Sequence, residues 1–195
     1  MRYLILLFFL IGCSDNNNTY YPLGKIKSWS YKIEIQPEVE KKTVYKKINL
    51  SLGKKNLEIN GVKSSVYPFL REDGSIFFYK ALSNGIFRMG SAFAKDKKIN
   101  AENKKRLVLP SPQRIGDKWS VGSKTYLILK RYPYYDYRAT TNFKINYEKI
   151  SKNEIISTPM GKFKDCLLVR GLGKTKFIGD SEIGSISISI SSKEW

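Results

Sequence analysis

The sequence predicts an all-β fold, a single antiparallel meander or curved half-barrel sheet that follows a cleaved signal peptide. One observation is a series of two-residue hairpin signals, Asn60-Gly61, Asp73-Gly74 and Asn84-Gly85, which supply positive φ at little steric cost. Another is the alternation of isoleucine and serine over residues 186–191, which is typical of a half-buried strand. Only residues 95–106 have a composition that tolerates a helix.

Strands are predicted wherever apolar and polar residues alternate or β-branched and aromatic residues cluster. The predicted strands are residues 30–35, 62–70, 75–81, 86–93, 126–130, 142–150 and 186–191. Residues 95–106 lack a good apolar stripe, so we expect a polar loop or one short helix there. Residues 171–175 lack the earlier glycine of a phosphate-binding loop, and we interpret them as a glycine-rich turn between strands. Trp29 and Trp119 are expected to be core aromatics at strand starts.

The N-terminal residues have the layout of a secretory signal. Arg2 carries a positive charge, and residues 3–11 form an apolar stretch too short to cross a hydrocarbon core of about 30 Å. The stretch ends at Leu10-Ile11-Gly12-Cys13, which resembles the lipobox of bacterial lipoproteins. That resemblance implies acylation of Cys13 and cleavage before it. Residues 1–12 are thus the predicted signal peptide, and two or three acyl chains on Cys13 are the predicted membrane attachment.

One domain is expected after the anchor. Residues 13–19 are a lipidated flexible tether, and residues 20–195 form the β-rich domain. The chain reaches Trp195 without a closing turn signal, so we expect a domain truncated at its C-terminus, with the isoleucine-serine strand at a sheet edge. Ser14 stands where the enterobacterial sorting rule places Asp in inner-membrane lipoproteins. By resemblance to that rule, attachment to the outer membrane, facing the periplasm, is favoured over the inner membrane or the cell surface.

Composition limits the partners. The formal charge is +18, but the predicted address outside the cytoplasm and the scattering of lysine through apparent strands argue against nucleic acid. The excess lysine is either a solvated face or a surface for anionic envelope lipids, and an envelope protein is a further candidate partner. With Cys13 lipidated, Cys166 is left alone, so we expect no intrachain disulfide.

Few residues suggest catalysis. The sequence contains no histidine, which removes the usual Ser-His-Asp and Cys-His mechanisms and histidine-based zinc sites. Neighbouring carboxylates lie in apparent turns or polar strand edges, and a glycosidase would need two of them facing each other across a cleft. We therefore expect no enzyme activity, no metal and no cofactor.

A tyrosine cluster is the most suggestive remaining surface. Its four rings are Tyr132, Tyr134, Tyr135 and Tyr137. Tyrosine offers rigid area with a polar tip, which suits peptide or sugar binding. The alternative is that these rings pack on their own sheet.

Three segments resemble a family of uncharacterised bacterial lipoproteins. They are Tyr21-Pro22-Leu23 with Trp29-Ser30-Tyr31, then Gly116-Asp117-Lys118-Trp119, and Thr158-Pro159-Met160-Gly161-Lys162-Phe163. The resemblance implies an all-β lipoprotein domain and transfers no catalytic residues. We expect a membrane-anchored lipoprotein whose β domain is a non-catalytic binding or structural module of the cell envelope. The alternative, a periplasmic lipid or lipoprotein carrier, requires an apolar cleft inside the sheet.

Overall fold

Eleven β-strands form the regular structure of the residues that the computed structural model describes, which are 20–21, 23–24, 28–35, 41–96, 98–131, 135–178 and 184–195. They are β1 Ser28–Ile35, β2 Thr43–Ser51, β3 Lys55–Ile59, β4 Val62–Arg71, β5 Ser75–Leu82, β6 Gly85–Phe93, β7 Asn100–Pro110, β8 Lys118–Arg131, β9 Tyr135–Thr158, β10 Gly161–Ile178 and β11 Ser185–Glu194. No helix occurs among these residues, and the all-β prediction is confirmed.

The strands form two antiparallel sheets. The first sheet has the order β1-β2-β4-β5-β6-β7, with β3 pairing β4, and it is a curled half-barrel. The second sheet, which the sequence did not separate from the first, has the order β11-β10-β9-β8. Asn60-Gly61 joins β3 to β4 as predicted, and Asp73-Gly74 lies in the turn between β4 and β5. The β5–β6 hairpin closes over Ser83-Asn84, because Gly85 already pairs with Leu82.

Two predictions about local structure are wrong. Residues 100–106, predicted as part of a polar loop or short helix, are strand, since β7 begins at Asn100 and pairs with β6. Gly171 and Gly173 lie inside β10 rather than in a turn. Their role is close approach: a Cβ on Gly171 would stand 2.8 Å from the Tyr147 ring, and one on Gly173 would stand 2.9 Å from the Lys144 carbonyl oxygen.

A shared apolar core joins the two sheets. Its buried members are Leu23, Ile86 and Leu109 on the side of the first sheet, and Trp119, Val121, Leu167 and Val169 from the second. Trp119, the second residue of β8, is 9% exposed and stacks on Tyr147 with ring centroids 5.2 Å apart, as expected of a core aromatic. Trp29, the second residue of β1, is half-buried and stacks on Phe69 at 5.5 Å.

A fully buried lysine ties β9 to the connection between the sheets. The Lys149 ammonium is 0% exposed and donates to the carbonyl oxygens of Pro110 and Pro112, at 2.9 and 3.1 Å, and to Asp117 Oδ2 at 3.0 Å. These three acceptors match the three protons of an ammonium group. The Lys149 backbone also bonds to the same connection, since its N–H donates to the Asp117 carbonyl and its carbonyl accepts from Gly116.

The C-terminal strand lies at an edge of the second sheet. β11 pairs with β10 along its whole length and has no partner strand among the described residues on its other side. Trp195 follows it and is 57% exposed. The edge position of the isoleucine-serine strand was expected from the sequence. The predicted signal peptide, Cys13 and the tether through residue 19 lie outside the described residues.

Candidate functional site

The concave face of the first sheet is filled with apolar side chains. The buried residues there are Ile59 of β3, Val66 of β4, Phe78 of β5 and Ala92 of β6, and Ala101 of β7 packs against them. Because β3 and β7 lie on opposite sides of β4, β5 and β6 yet contact the same cluster, the sheet curves around it. Side chains therefore occupy the space in which a lipid carrier of this shape would need a cleft.

A polar groove lies between the β3–β4 turn and the start of β7. It has a volume of about 940 Å³ and adjoins the buried cluster, because its lining combines Glu58, Asn60, Glu102 and Asn103 with Leu57, Ile99 and Ala101, which also pack against that cluster. Glu102 forms an ion pair with Arg88. The groove is open and mostly polar, so it does not suit an acyl chain. Because Glu102 is paired with Arg88, Glu58 and Glu102 do not form the free carboxylate pair that glycoside hydrolysis needs.

The tyrosine cluster is located only in part. Tyr132 and Tyr134 lie outside the described residues. The Tyr135 and Tyr137 backbones begin β9, where they pair with Arg131 and Leu129 of β8. In this stretch β9 pairs with β8 alone, since its pairing with β10 begins at Lys144. The cluster thus belongs to the end of a long β8–β9 hairpin, and its role as a partner surface stays a prediction.

The β1–β2 ribbon, defined as residues 28–35 and 41–48, has two strands and little support from the rest of the first sheet. β2 pairs with β4 only over Asn49–Ser51, so Thr43–Ile48 pairs with β1 alone. Four large apolar or aromatic side chains of the ribbon are 44–52% exposed: Tyr31, Val44, Tyr45 and Ile48. Because neighbouring positions of a strand face opposite sides, Val44 and Tyr45 place apolar surface on both faces of the ribbon.

The ribbon is also basic. Lys32, Lys41, Lys42 and Lys46 are exposed, and Lys32 lies directly opposite Lys46 in the register. Like charges in directly opposed positions destabilise a strand pair. Glu34 offsets part of this charge through ion pairs with Lys32, at 2.7 Å, and with Lys42. Hydrogen bonds from these two lysines lower the pKa of Glu34 to about 2, so it stays ionised at neutral pH.

Sequence reasoning did not single out this ribbon. Alternation in residues 30–35 predicted a strand with its apolar residues on one face, but Tyr31 on that face is 46% exposed. A local signal was present in Val44-Tyr45, where two adjacent apolar residues break the alternation of apolar and polar positions. How little of β2 pairs with β4 is a matter of long-range register, which no local pattern reports.

The described residues contain no helix long and apolar enough to span a membrane. They also contain no group of three or more His, Cys, Asp or Glu side chains that could hold a metal ion. No family model, curated protein or solved structure matches the chain.

Proposed function

We propose that this chain is a lipid-anchored lipoprotein of the bacterial cell envelope whose β domain is a non-catalytic binding or structural module. Lipid on Cys13 attaches it to the outer membrane, facing the periplasm. The filled concave face of the first sheet favours a module that binds through its outer surface rather than a carrier that encloses its ligand. The uncharacterised lipoprotein family that the sequence resembles supports the same assignment without supplying a partner.

The observation that carries the binding role is the exposed, basic and aromatic β1–β2 ribbon. Tyrosine side chains suit the polar-apolar boundary of a bilayer, and lysine side chains keep their charge in water while their stems cover apolar surface. Each lysine close to an anionic leaflet contributes about 1 kcal/mol. Lys32 and Lys46 share one face of the ribbon with Val44 and Ile48, and Tyr31 and Tyr45 share the other face. Anionic headgroups would also relieve the repulsion between the two opposed lysines.

The chain length between anchor and ribbon fits this role. Ser28 follows Cys13 by 15 positions, so an extended connection reaches at most about 50 Å at roughly 3.5 Å per residue. A lipid on Cys13 would therefore keep the start of the ribbon within about 50 Å of the bilayer. Once the lipid anchor is inserted, it raises the effective concentration of the ribbon at the membrane surface, so individually weak contacts between lysines and headgroups can form.

We expect the ribbon to bind anionic vesicles by itself. The test uses residues 13–195 carrying Cys13→Ala, which removes the predicted signal and lipid and keeps every described residue. Binding should require phosphatidylglycerol in phosphatidylcholine vesicles and should weaken steeply with salt. Adding Lys41→Gln and Lys46→Gln should weaken binding about 30-fold, since about 2 kcal/mol of attraction is lost.

The matched control changes Lys162 and Lys164 to glutamine, because both are exposed on β10 of the second sheet. This control variant loses the same amount of charge at positions far from the ribbon in the sequence, and its binding to vesicles should fall less than about threefold. Cosedimentation with vesicles measures both. Equal losses in the two double variants would assign binding to overall charge, and equal binding to pure phosphatidylcholine would refute the electrostatic role.

A further inference from the structure

Three arginines lie on the face of the first sheet that carries Phe77, which is opposite the face that carries Phe78 and the filled concave side. This arginine cluster consists of Arg71 on β4, Arg88 on β6 and Arg106 on β7. Arg88 and Arg106 are direct register partners. The guanidinium carbons of Arg71 and Arg88 lie 5.1 and 4.7 Å from the centroid of one ring, that of Phe77 on β5. The two guanidinium groups are therefore no farther apart than the sum of these distances.

The cluster is held in place but is not neutralised by its neighbours. Arg88 forms an ion pair with Glu102, and its side chain is 19% exposed. Arg71 is 29% exposed, and its approach to Asp73 Oδ2 is long, at 3.9 Å, while Asp73 Oδ1 accepts from the backbone and hydroxyl of Ser75. Arg106 forms no ion pair with any residue in the described part of the chain. Three cations thus face one close carboxylate and one distant carboxylate.

Tyr79 of β5 is the direct register partner of Arg88, which in turn pairs with Arg106, so Tyr79 lies in the same row of side chains. Burial raises the pKa of Tyr79, and a hydrogen bond with Tyr21 and the charges of Arg88, Arg71 and Arg106 oppose that rise. Tyr79 therefore stays a neutral donor at neutral pH. Burial lowers the pKa of Arg106, and repulsion from Arg88 acts in the same direction. A bound anion would relieve this repulsion.

Stacking on Phe77 orders the cluster for recognition. A guanidinium that lies over an aromatic face keeps the N–H groups at its edge available, and less entropy is lost when they bind. Planar guanidinium groups donate to oxyanions in pairs of parallel hydrogen bonds, which are stronger than bonds between neutral groups. Partial burial strengthens each interaction further.

We propose that Arg71, Arg88 and Arg106, together with the Tyr79 hydroxyl, form a binding site for a phosphate group. The phosphate comes either from a free ion or from a lipid headgroup, and the chemistry of recognition is the same. The site shares no residue with the β1–β2 ribbon. It also binds in a different way, since several hydrogen-bond donors contact a single phosphate group. It depends on neither the lipid on Cys13 nor the function proposed above.

Titration calorimetry of the mature lipoprotein in non-ionic detergent tests the site with inorganic phosphate. We expect saturable binding at one site per chain. Arg106→Gln and Arg71→Gln should each weaken it tenfold or more, because each removes charge-assisted hydrogen bonds. Arg170→Gln is the matched control, since Arg170 is an exposed arginine of the second sheet paired with Glu148, and it should change binding less than twofold.

Tyr79→Phe provides a second variant if an arginine change unfolds the protein, which a thermal melt of each variant detects. It removes one hydroxyl and should weaken phosphate binding about threefold to tenfold. Dihexanoyl phosphatidylglycerol distinguishes the sources: binding tenfold tighter than phosphate identifies a headgroup site, and equal or weaker binding identifies a site for the free ion. No saturable binding of either probe to the wild type, or equal losses in Arg106→Gln and Arg170→Gln, would overturn the proposal.

Discussion

Replacing Lys149 with methionine is expected to lower the free energy of unfolding by about 3 kcal/mol. Methionine keeps most of the apolar stem but removes the ammonium group, so the carbonyl oxygens of Pro110 and Pro112 lose a donor within the fold. The connection between the two sheets loses its side-chain attachment to β9. For a domain of this size, the loss corresponds to a fall in melting temperature of roughly 6 to 12 °C.

Lys144→Met is the matched control for this experiment. Lys144 lies on the same strand and is exposed, so its replacement should change the free energy of unfolding by less than about 0.5 kcal/mol. Urea unfolding of both variants and the wild type measures the difference. If Lys149→Met proves as stable as Lys144→Met, the buried ammonium does not hold the sheets together.

The same interaction has a pH dependence. The hydrogen bond from Lys149 lowers the pKa of Asp117 below its usual value of 3.8. A carboxyl group whose pKa is lower in the folded state stabilises the fold above its unfolded pKa, and this contribution is lost as pH falls through the folded pKa. The wild type should therefore lose the Asp117 contribution below about pH 4. The acid unfolding profile of Lys149→Met should lack that component.

Local turn chemistry made the meander from β3 to β6 predictable. Asn60 has a φ of 52° and Gly61 a φ of 77°, the positive values that their residue types tolerate best. The intervening strands β4, β5 and β6 then start and end within a residue or two of the predicted bounds. Signals of this kind act over two to four residues, so a single sequence displays them directly.

The division into two sheets depends on contacts that no local pattern reports. β7 has few apolar residues of its own at its start, and it becomes a strand because β6 supplies its hydrogen-bond partners. Gly171 is needed because Tyr147 and Ser192 from neighbouring strands approach it closely. Lys149 looks like any other lysine in the sequence, and its burial depends on acceptors more than 30 positions away.

The candidate binding residues were visible only in part. Tyrosine-rich residues 132–137 were singled out by composition, whereas the exposed apolar residues of the β1–β2 ribbon lie where β2 no longer pairs with β4, which the sequence does not show. The arginine cluster draws on three strands, and Arg71 and Arg106 are 35 positions apart in the sequence. That these arginines share one face of the sheet becomes apparent only when the register of β4 to β7 is known.

Loss of the proposed lipid attachment at Cys13 should have a large effect on where the protein lies in the cell. Cys13→Ala removes the thiol that would carry the lipid. Without two or three acyl chains, no stable attachment through lipid remains. Cys166→Ala is the matched control, because Cys166 is the other cysteine of the chain.

The most direct measurement is incorporation of radiolabelled fatty acid into the protein expressed in a bacterial host. We predict that the wild type and Cys166→Ala are labelled equally and sediment with the membrane fraction, and that Cys13→Ala carries no label. Label retained in Cys13→Ala, or absent from the wild type, would contradict the account.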